Sequence, residues 1–158
     1  MGGIKAVYLA NKEDVASLTV TSNKITGITM ADAAKFHKYE FQRRTGSLSS
    51  NYQVNADNGT KFVQSDLVLV FNRMETTKRV EISALAAGEL VAIVEDNNSV
   101  FHYLGKDNPL ELSAGDGLTG TALADRNGYS VTLQDESLEL PYEVLVGDGG
   151  VDLSAIVA

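Results

Sequence analysis

Short strand-like segments separated by turn-forming residues constrain this chain more than any other feature. In each segment apolar, β-branched or aromatic residues either alternate with polar ones or run together, as they do in half-buried and fully buried strands. Asp, Asn and Gly cluster between the segments and favour turns. The sequence therefore predicts a mostly β protein of about eight strands, folded as a sandwich or a barrel. The segments lie at 4–11, 24–30, 35–43, 61–71, 90–95, 99–105, 129–133 and 141–146, and the Asn-Gly turn at 127–128 predicts a hairpin between 121–125 and 129–133.

One segment has helical periodicity. In residues 76–87 the apolar side chains of Ile82, Leu85 and Ala86 fall at positions i, i+3 and i+4, and Gly88 stands where a helix commonly ends. The sequence predicts one α-helix here, packed against the β-structure. A short helical turn is also expected at 12–18.

A long polar stretch, 45–61, separates two predicted strands and has few apolar residues. Loops of more than roughly 12 to 15 residues without structure of their own are uncommon and are often functional. We expect this stretch to be a long loop or hairpin that orders on contact with a neighbouring subunit. The predicted contact residues are Leu48, Tyr52, Val54, Arg43 and Arg44.

Length and composition indicate a single domain. A chain of 158 residues most simply builds one core, here expected over residues 1–146, with a C-terminal tail, 147–158, that begins with glycines and ends apolar. There is no cysteine, which excludes disulfides and thiolate chemistry. No run approaches the roughly 18 to 20 apolar residues of a membrane-spanning helix, so no membrane partner is expected.

Charge is divided unevenly along the chain, whose net charge is −8. Residues 1–80 contain eleven Lys and Arg against seven Asp and Glu, whereas residues 81–158 contain two against fourteen. Opposite charges on two faces favour head-to-tail association, and a solvated acidic surface is the simpler alternative. The overall acidity opposes a large surface for binding phosphates.

Residues with catalytic or metal-binding potential form no recognisable set. His37 and His102 lie in separate predicted strands, and no nucleophile elbow, phosphate-binding loop or EF-hand spacing is present. We expect no enzymatic activity, no metal and no cofactor. A carbohydrate-binding or hydrolytic β-domain is the alternative, and it requires a cleft lined by tyrosines such as Tyr103, Tyr129 or Tyr142 beside a pair of carboxylates.

Several motifs, taken in order, resemble a known group of proteins. These are GGIKAVYLANKEDV, FVQSDLVLVF after the polar stretch, LVAIVEDNNSVFHYLGKDNPLEL, GTALADRNGYSVTL and LPYEV. Together they span most of residues 2–146 and resemble structural proteins of phages that infect Bacteroidetes-type bacteria, in particular tail tube proteins. Pro109 departs from the pattern, because a glycine is expected after the asparagine at that turn.

The resemblance implies a β-sandwich or barrel with one flanking helix that assembles into rings stacked head to tail. The inner strands of such rings form a continuous tubular sheet that conducts DNA without binding it specifically, and a hairpin or loop reaches a neighbouring subunit. The implied partners are other copies and other tail proteins, such as a sheath, tape measure, baseplate or terminator protein. The implied location is the virion tail, assembled in the host cytoplasm. A capsid decoration protein or a tail completion ring is the alternative within virion proteins.

Overall fold

Two β-sheets packed face to face make up the described part of the protein. The computed structural model describes residues 4–31, 35–40, 46–72, 88–106, 108–118, 128–137, 140–147 and 150–157. A seven-stranded and a four-stranded sheet enclose an apolar layer, which confirms the predicted mostly β sandwich. Over these residues the two sheets do not join into a closed barrel.

The described residues form eleven strands, three more than the eight predicted. The strands are β1 (Ile4–Asn11), β2 (Val15–Thr21), β3 (Lys24–Met30), β4 (His37–Glu40), β5 (Gly46–Asn55), β6 (Thr60–Asn72), β7 (Leu90–Asp96), β8 (Phe101–Leu104), β9 (Glu111–Leu118), β10 (Gly128–Ser137) and β11 (Tyr142–Val144). A single 3₁₀ turn spans Lys12–Asp14, and a four-residue helix, α1, spans Leu153–Ile156. The expected helical turn at 12–18 is therefore confined to its first three residues, and the rest belongs to β2.

The larger sheet has the order β2-β3-β11-β8-β7-β1-β4, and the smaller has the order β5-β6-β10-β9. Neighbouring strands are antiparallel throughout, except for the parallel pair β3 and β11. Strands distant in the sequence thus become neighbours.

The core lies between the two sheets. In β7 the side chains of Leu90, Ala92 and Val94 enter this layer, while Val91 and Ile93 lie on the opposite face of the same sheet. All five are almost fully buried, so β7 is buried on both faces, as is typical of a strand with an unbroken apolar run. The small sheet contributes a further set of core side chains: Leu67, Leu69, Val131 and Leu133.

The C-terminal tail packs on the outer face of the large sheet. Val151 and Ile156 join a second apolar cluster that contains the fully buried Phe36. The backbone N–H of Phe36 donates to the carbonyl of Ile156 at 2.7 Å. The chain reverses before this segment at Gly150, where a Cβ atom would overlap the carbonyl oxygen of Leu145. The tail therefore docks on its own domain.

The predicted helix and the predicted long loop or hairpin have different outcomes in the structure. The helix predicted at 76–87 lies outside the described residues. Of the stretch predicted at 45–61, the described residues 46–61 form a hairpin and not a loop, since β5 pairs with β6 at ten consecutive positions. Its polar residues did not suggest a strand, but Ser, Asn and Gln side chains are compatible with a strand whose outer face is exposed to water.

Candidate functional site: the β5 edge and the projecting hairpin

The β5–β6 hairpin extends beyond the core of the sandwich. The ladder between β6 and β10 ends at the Val63–Ser137 pair. In the part of the chain that the structure describes, β5 is therefore the only strand that pairs with residues 60–62 of β6. The hairpin continues past that row to the Asn55–Thr60 pair and a turn at 56–59. Within the described residues, its end is therefore a two-stranded ribbon that projects beyond the other strands of the small sheet.

The side chains on the core-facing side of this hairpin change in character along its length. Leu48 stands opposite Leu67 and packs against the core. Tyr52 and Val54 lie on the same face but farther out, and 63% of each residue's surface is exposed. Two of the predicted contact residues are thus available on the projecting ribbon, while Leu48 contacts the protein's own core. Arg43 and Arg44 lie outside the described residues.

A polar row marks the point where the hairpin leaves the core. The hydroxyl oxygens of Ser50 and Ser65 are 2.9 Å apart, and Asp135 of β10 stands next to Ser65 in register. The buried carboxylate of Asp135 accepts a hydrogen bond of 2.9 Å from the backbone N–H of Gly105, just after β8. The row therefore connects the base of the hairpin to the large sheet.

Gly105 is required at this junction by its backbone. Its φ is +89°, and a Cβ atom there would lie 2.8 Å from the carbonyl oxygen of Leu90. Only glycine combines this conformation with such a close approach at low cost. The sequence gives no signal that this glycine faces Asp135, because the two residues meet only when the sheets pack.

A small recess lies beside the polar row and is lined by two of the tyrosines considered from the sequence, Tyr103 and Tyr142, together with Asp135. Tyr103 is almost completely buried, and this burial raises the pKa of its hydroxyl well above the usual range. The recess has room for about one water molecule, which is far too little for a sugar ring. The side chain of Tyr129 lies outside the described residues.

The two histidines are in strands, as predicted, but they are not brought together. His37 is in β4 and His102 is in β8, and β1 and β7 separate these strands. The Nε2 atom of His102 is 3.3 Å from a carboxylate oxygen of Asp96. Within the described ranges, no group of three His, Asp or Glu residues is arranged to hold a metal ion.

Asp96 organises the turn between β7 and β8. Its Oδ1 atom accepts hydrogen bonds from the backbone N–H groups of Asn98, at 2.8 Å, and Val100, at 3.0 Å. Partial burial raises the pKa of Asp96, but the hydrogen bonds from Val100, His102 and Asn98 outweigh burial and hold the pKa below its ordinary value. Asp96 is therefore a structural carboxylate.

The outer edge of β5 differs from the other three sheet edges. Its ten residues, GSLSSNYQVN, include no charge and no proline, and its register with β6 is continuous. In contrast, β2 has two register shifts, β4 is four residues long and contains Lys38, and β9 begins with Glu111 beside a register shift. Bulges, charges and short length protect sheet edges against pairing with other chains. Among the described strands, β5 alone lacks all three.

The face of the small sheet that points away from the core carries carboxylates among polar side chains and the apolar side chains of Phe62, Val68 and Val70. Alternation places Asp66, Gln134 and Glu111 in one row across β6, β10 and β9, and Glu136 on the same face. Lys61 is on the opposite face, in the row of Val54. Among side chains that the structure describes, this face has three carboxylates and neither Lys nor Arg.

Comparison with family models, with curated proteins and with solved structures finds no match to this chain. Within the described residues, no helix has both the length and the apolar character needed to span a bilayer.

Proposed function

We propose that this protein is a tail tube subunit of a phage, which assembles into stacked rings and forms a conduit for DNA without enzymatic activity. The sequence motifs that resemble tail tube proteins suggest the class. The structural observation that supports it best is the long, uncharged edge of β5 with its continuous register, because such an edge offers backbone groups to a strand of another chain.

The directions of the strands suit a repeating contact between copies. Since β6 is antiparallel to β5 and β10, and β9 is antiparallel to β10, strand β9 runs opposite to β5. The β5 strand of a second copy placed beside β9 therefore extends the antiparallel sheet. Because the contact joins two different edges, it repeats from copy to copy and gives a ring when the rotation closes.

The acidic face supports the conduit. In such a ring the seven-stranded sheet covers one face of each small sheet and lies outside, so that Asp66, Glu111 and Glu136 face the lumen. A carboxylate-lined lumen repels the phosphates of DNA and reduces its adhesion to the wall. The projecting ribbon, with Tyr52 and Val54 exposed, supplies apolar contact with a neighbouring subunit, in the same ring or in the next.

Negative-stain microscopy of the purified protein tests this proposal together with a pair of matched variants. The double variant Ser47→Lys/Ser49→Lys adds two charges to the β5 edge, and we expect it to remain folded but unassembled. The control Gln64→Lys/Gln134→Lys adds the same charge to the same face on the two central strands, and it should still assemble.

The expected result for the unmodified protein is long, uniform cylinders. Isolated rings or monomers at all concentrations would instead favour a decoration protein or a completion ring. Cylinders of normal length from the β5 double variant would show that this edge is not the contact.

A further inference from the structure

The tip of the β5–β6 hairpin contains an asparagine followed by glycine in an exposed turn. Asn58 and Gly59 are both exposed, and they lie in the turn at 56–59 beyond the last strand pair, Asn55–Thr60. Gly59 has a φ of +65°, and no atom lies within 4 Å of the position its Cβ would occupy. We propose that Asn58 is a site of spontaneous covalent modification, in which the chain itself converts the side-chain amide into a carboxylate.

The reaction needs only the chain and water. The backbone nitrogen of Gly59 loses its proton to solvent and attacks Cγ of Asn58, forming a new C–N bond. The bond from Cγ to the side-chain nitrogen breaks, and that nitrogen leaves as ammonia, which gives a cyclic succinimide. Water then opens the ring at either carbonyl and produces isoaspartate or aspartate. Water is consumed and ammonia is released, without oxidation or reduction.

Gly59 makes this site more reactive than other asparagines of the hairpin. Glycine has no Cβ to shield its nitrogen, and it readily adopts the backbone angles that ring formation requires. Asn51 precedes Tyr52 and stands in the middle of the β5–β6 ladder, opposite Gln64. Asn55 precedes Ala56 and is held in the last pair of the same ladder.

The exposed turn also distinguishes Asn58–Gly59 from the other Asn-Gly pair of the chain, and this difference does not depend on the proposed function. The second Asn-Gly pair of the chain, Asn127–Gly128, has its glycine in β10, paired with both Asn72 and Leu118. In contrast, the turn at 56–59 lies outside any ladder. Modification there adds a negative charge beside Asp57, and isoaspartate adds a carbon to the backbone of the turn.

Peptide mass spectrometry of the full chain, incubated as the folded protein at neutral pH, tests the proposal. Trypsin releases residues 45–61 as one peptide, which contains Asn58 together with Asn51 and Asn55 as internal controls. We expect conversion at Asn58 to be at least about tenfold faster than at either control, because only Asn58 precedes a glycine in this peptide. Isoaspartyl methyltransferase should label the product.

Two glycine variants complete the test. Gly59→Ala shields the attacking nitrogen, and Gly59→Asp does so with a residue that tolerates the left-handed conformation better. Both should slow conversion at Asn58 by about tenfold or more, since each places a Cβ beside the nitrogen. Circular dichroism verifies that they fold. Equal conversion at Asn51, Asn55 and Asn58, or unchanged conversion in both glycine variants, would overturn the proposal.

Discussion

Replacing Asp135 by alanine should destabilise the sandwich through one identifiable group. The Asp135 carboxylate is 5% exposed and accepts a hydrogen bond of 2.9 Å from the backbone N–H of Gly105, which is also buried. Alanine leaves that N–H without its acceptor. A hydrogen bond to a charged group contributes about 1.5 to 3 kcal/mol, and relief of carboxylate desolvation offsets part of the loss. We expect the free energy of unfolding to fall by about 2 kcal/mol.

Chemical denaturation with urea, monitored by circular dichroism, measures this loss. The midpoint should fall while the slope with denaturant remains unchanged, because the substitution leaves the surface exposed on unfolding nearly constant. The variant Asp135→Asn retains an acceptor oxygen and should lose about 1 kcal/mol or less, since a neutral acceptor makes a weaker bond.

A matched control separates this effect from loss of negative charge. Asp66 lies on β6 with its side chain on the outer face of the same sheet, so Asp66→Ala removes a carboxylate away from the core. Its effect should remain within about 0.5 kcal/mol, as is usual for surface substitutions. If Asp135→Ala is as stable as the unmodified protein, or if Asp66→Ala costs as much, the junction between Asp135 and Gly105 does not stabilise the sandwich.

Two further predictions concern Gly105, which follows β8, and Asp96, the last residue of β7. Gly105→Ala should lower the free energy of unfolding by about 3 kcal/mol, because it adds a Cβ 2.8 Å from the Leu90 carbonyl oxygen at positive φ; urea denaturation that shows no loss would contradict this. Asp96 has a pKa below that of the unfolded chain, so its contribution to stability is complete above the unfolded value and disappears as the pH falls through the folded one. Asp96→Asn should therefore cost stability at neutral pH and progressively less below about pH 4, and a cost independent of pH would refute that role.

The polar hairpin shows where sequence patterns lose their predictive value. Alternation or an unbroken apolar run identified β1, β3, β6 and β7, since each has enough apolar residues for one or both buried faces. Strand β5 has only Leu48 in contact with the core, so its pattern indicates a polar stretch. It is a strand because β6 offers a long, regular partner, which is a property of the pair.

The candidate site was predictable from the sequence only where it depends on residue type and not on the pairing of strands. Tyr52 and Val54 are distinctive as apolar residues in a polar stretch, and the structure places both on the projecting ribbon. The unprotected edge of β5 was not predictable, because an edge exists only once the order of the strands is known. Nor did any motif indicate the pairing of Tyr103 with Tyr142, which follows from the contact between β8 and β11.

By itself, the sequence determined the β class, the absence of thiol chemistry and the unequal division of charge. These properties depend on residue type and local spacing, which the chain retains in any conformation. Only the tertiary structure decided that Asp135 meets Gly105, that the tail covers Phe36 and that, among the described strands, β5 stands at the edge of its sheet beside a face that bears carboxylates. Each depends on which distant segments pair, and that is set by the combined burial and hydrogen bonding of the whole sandwich.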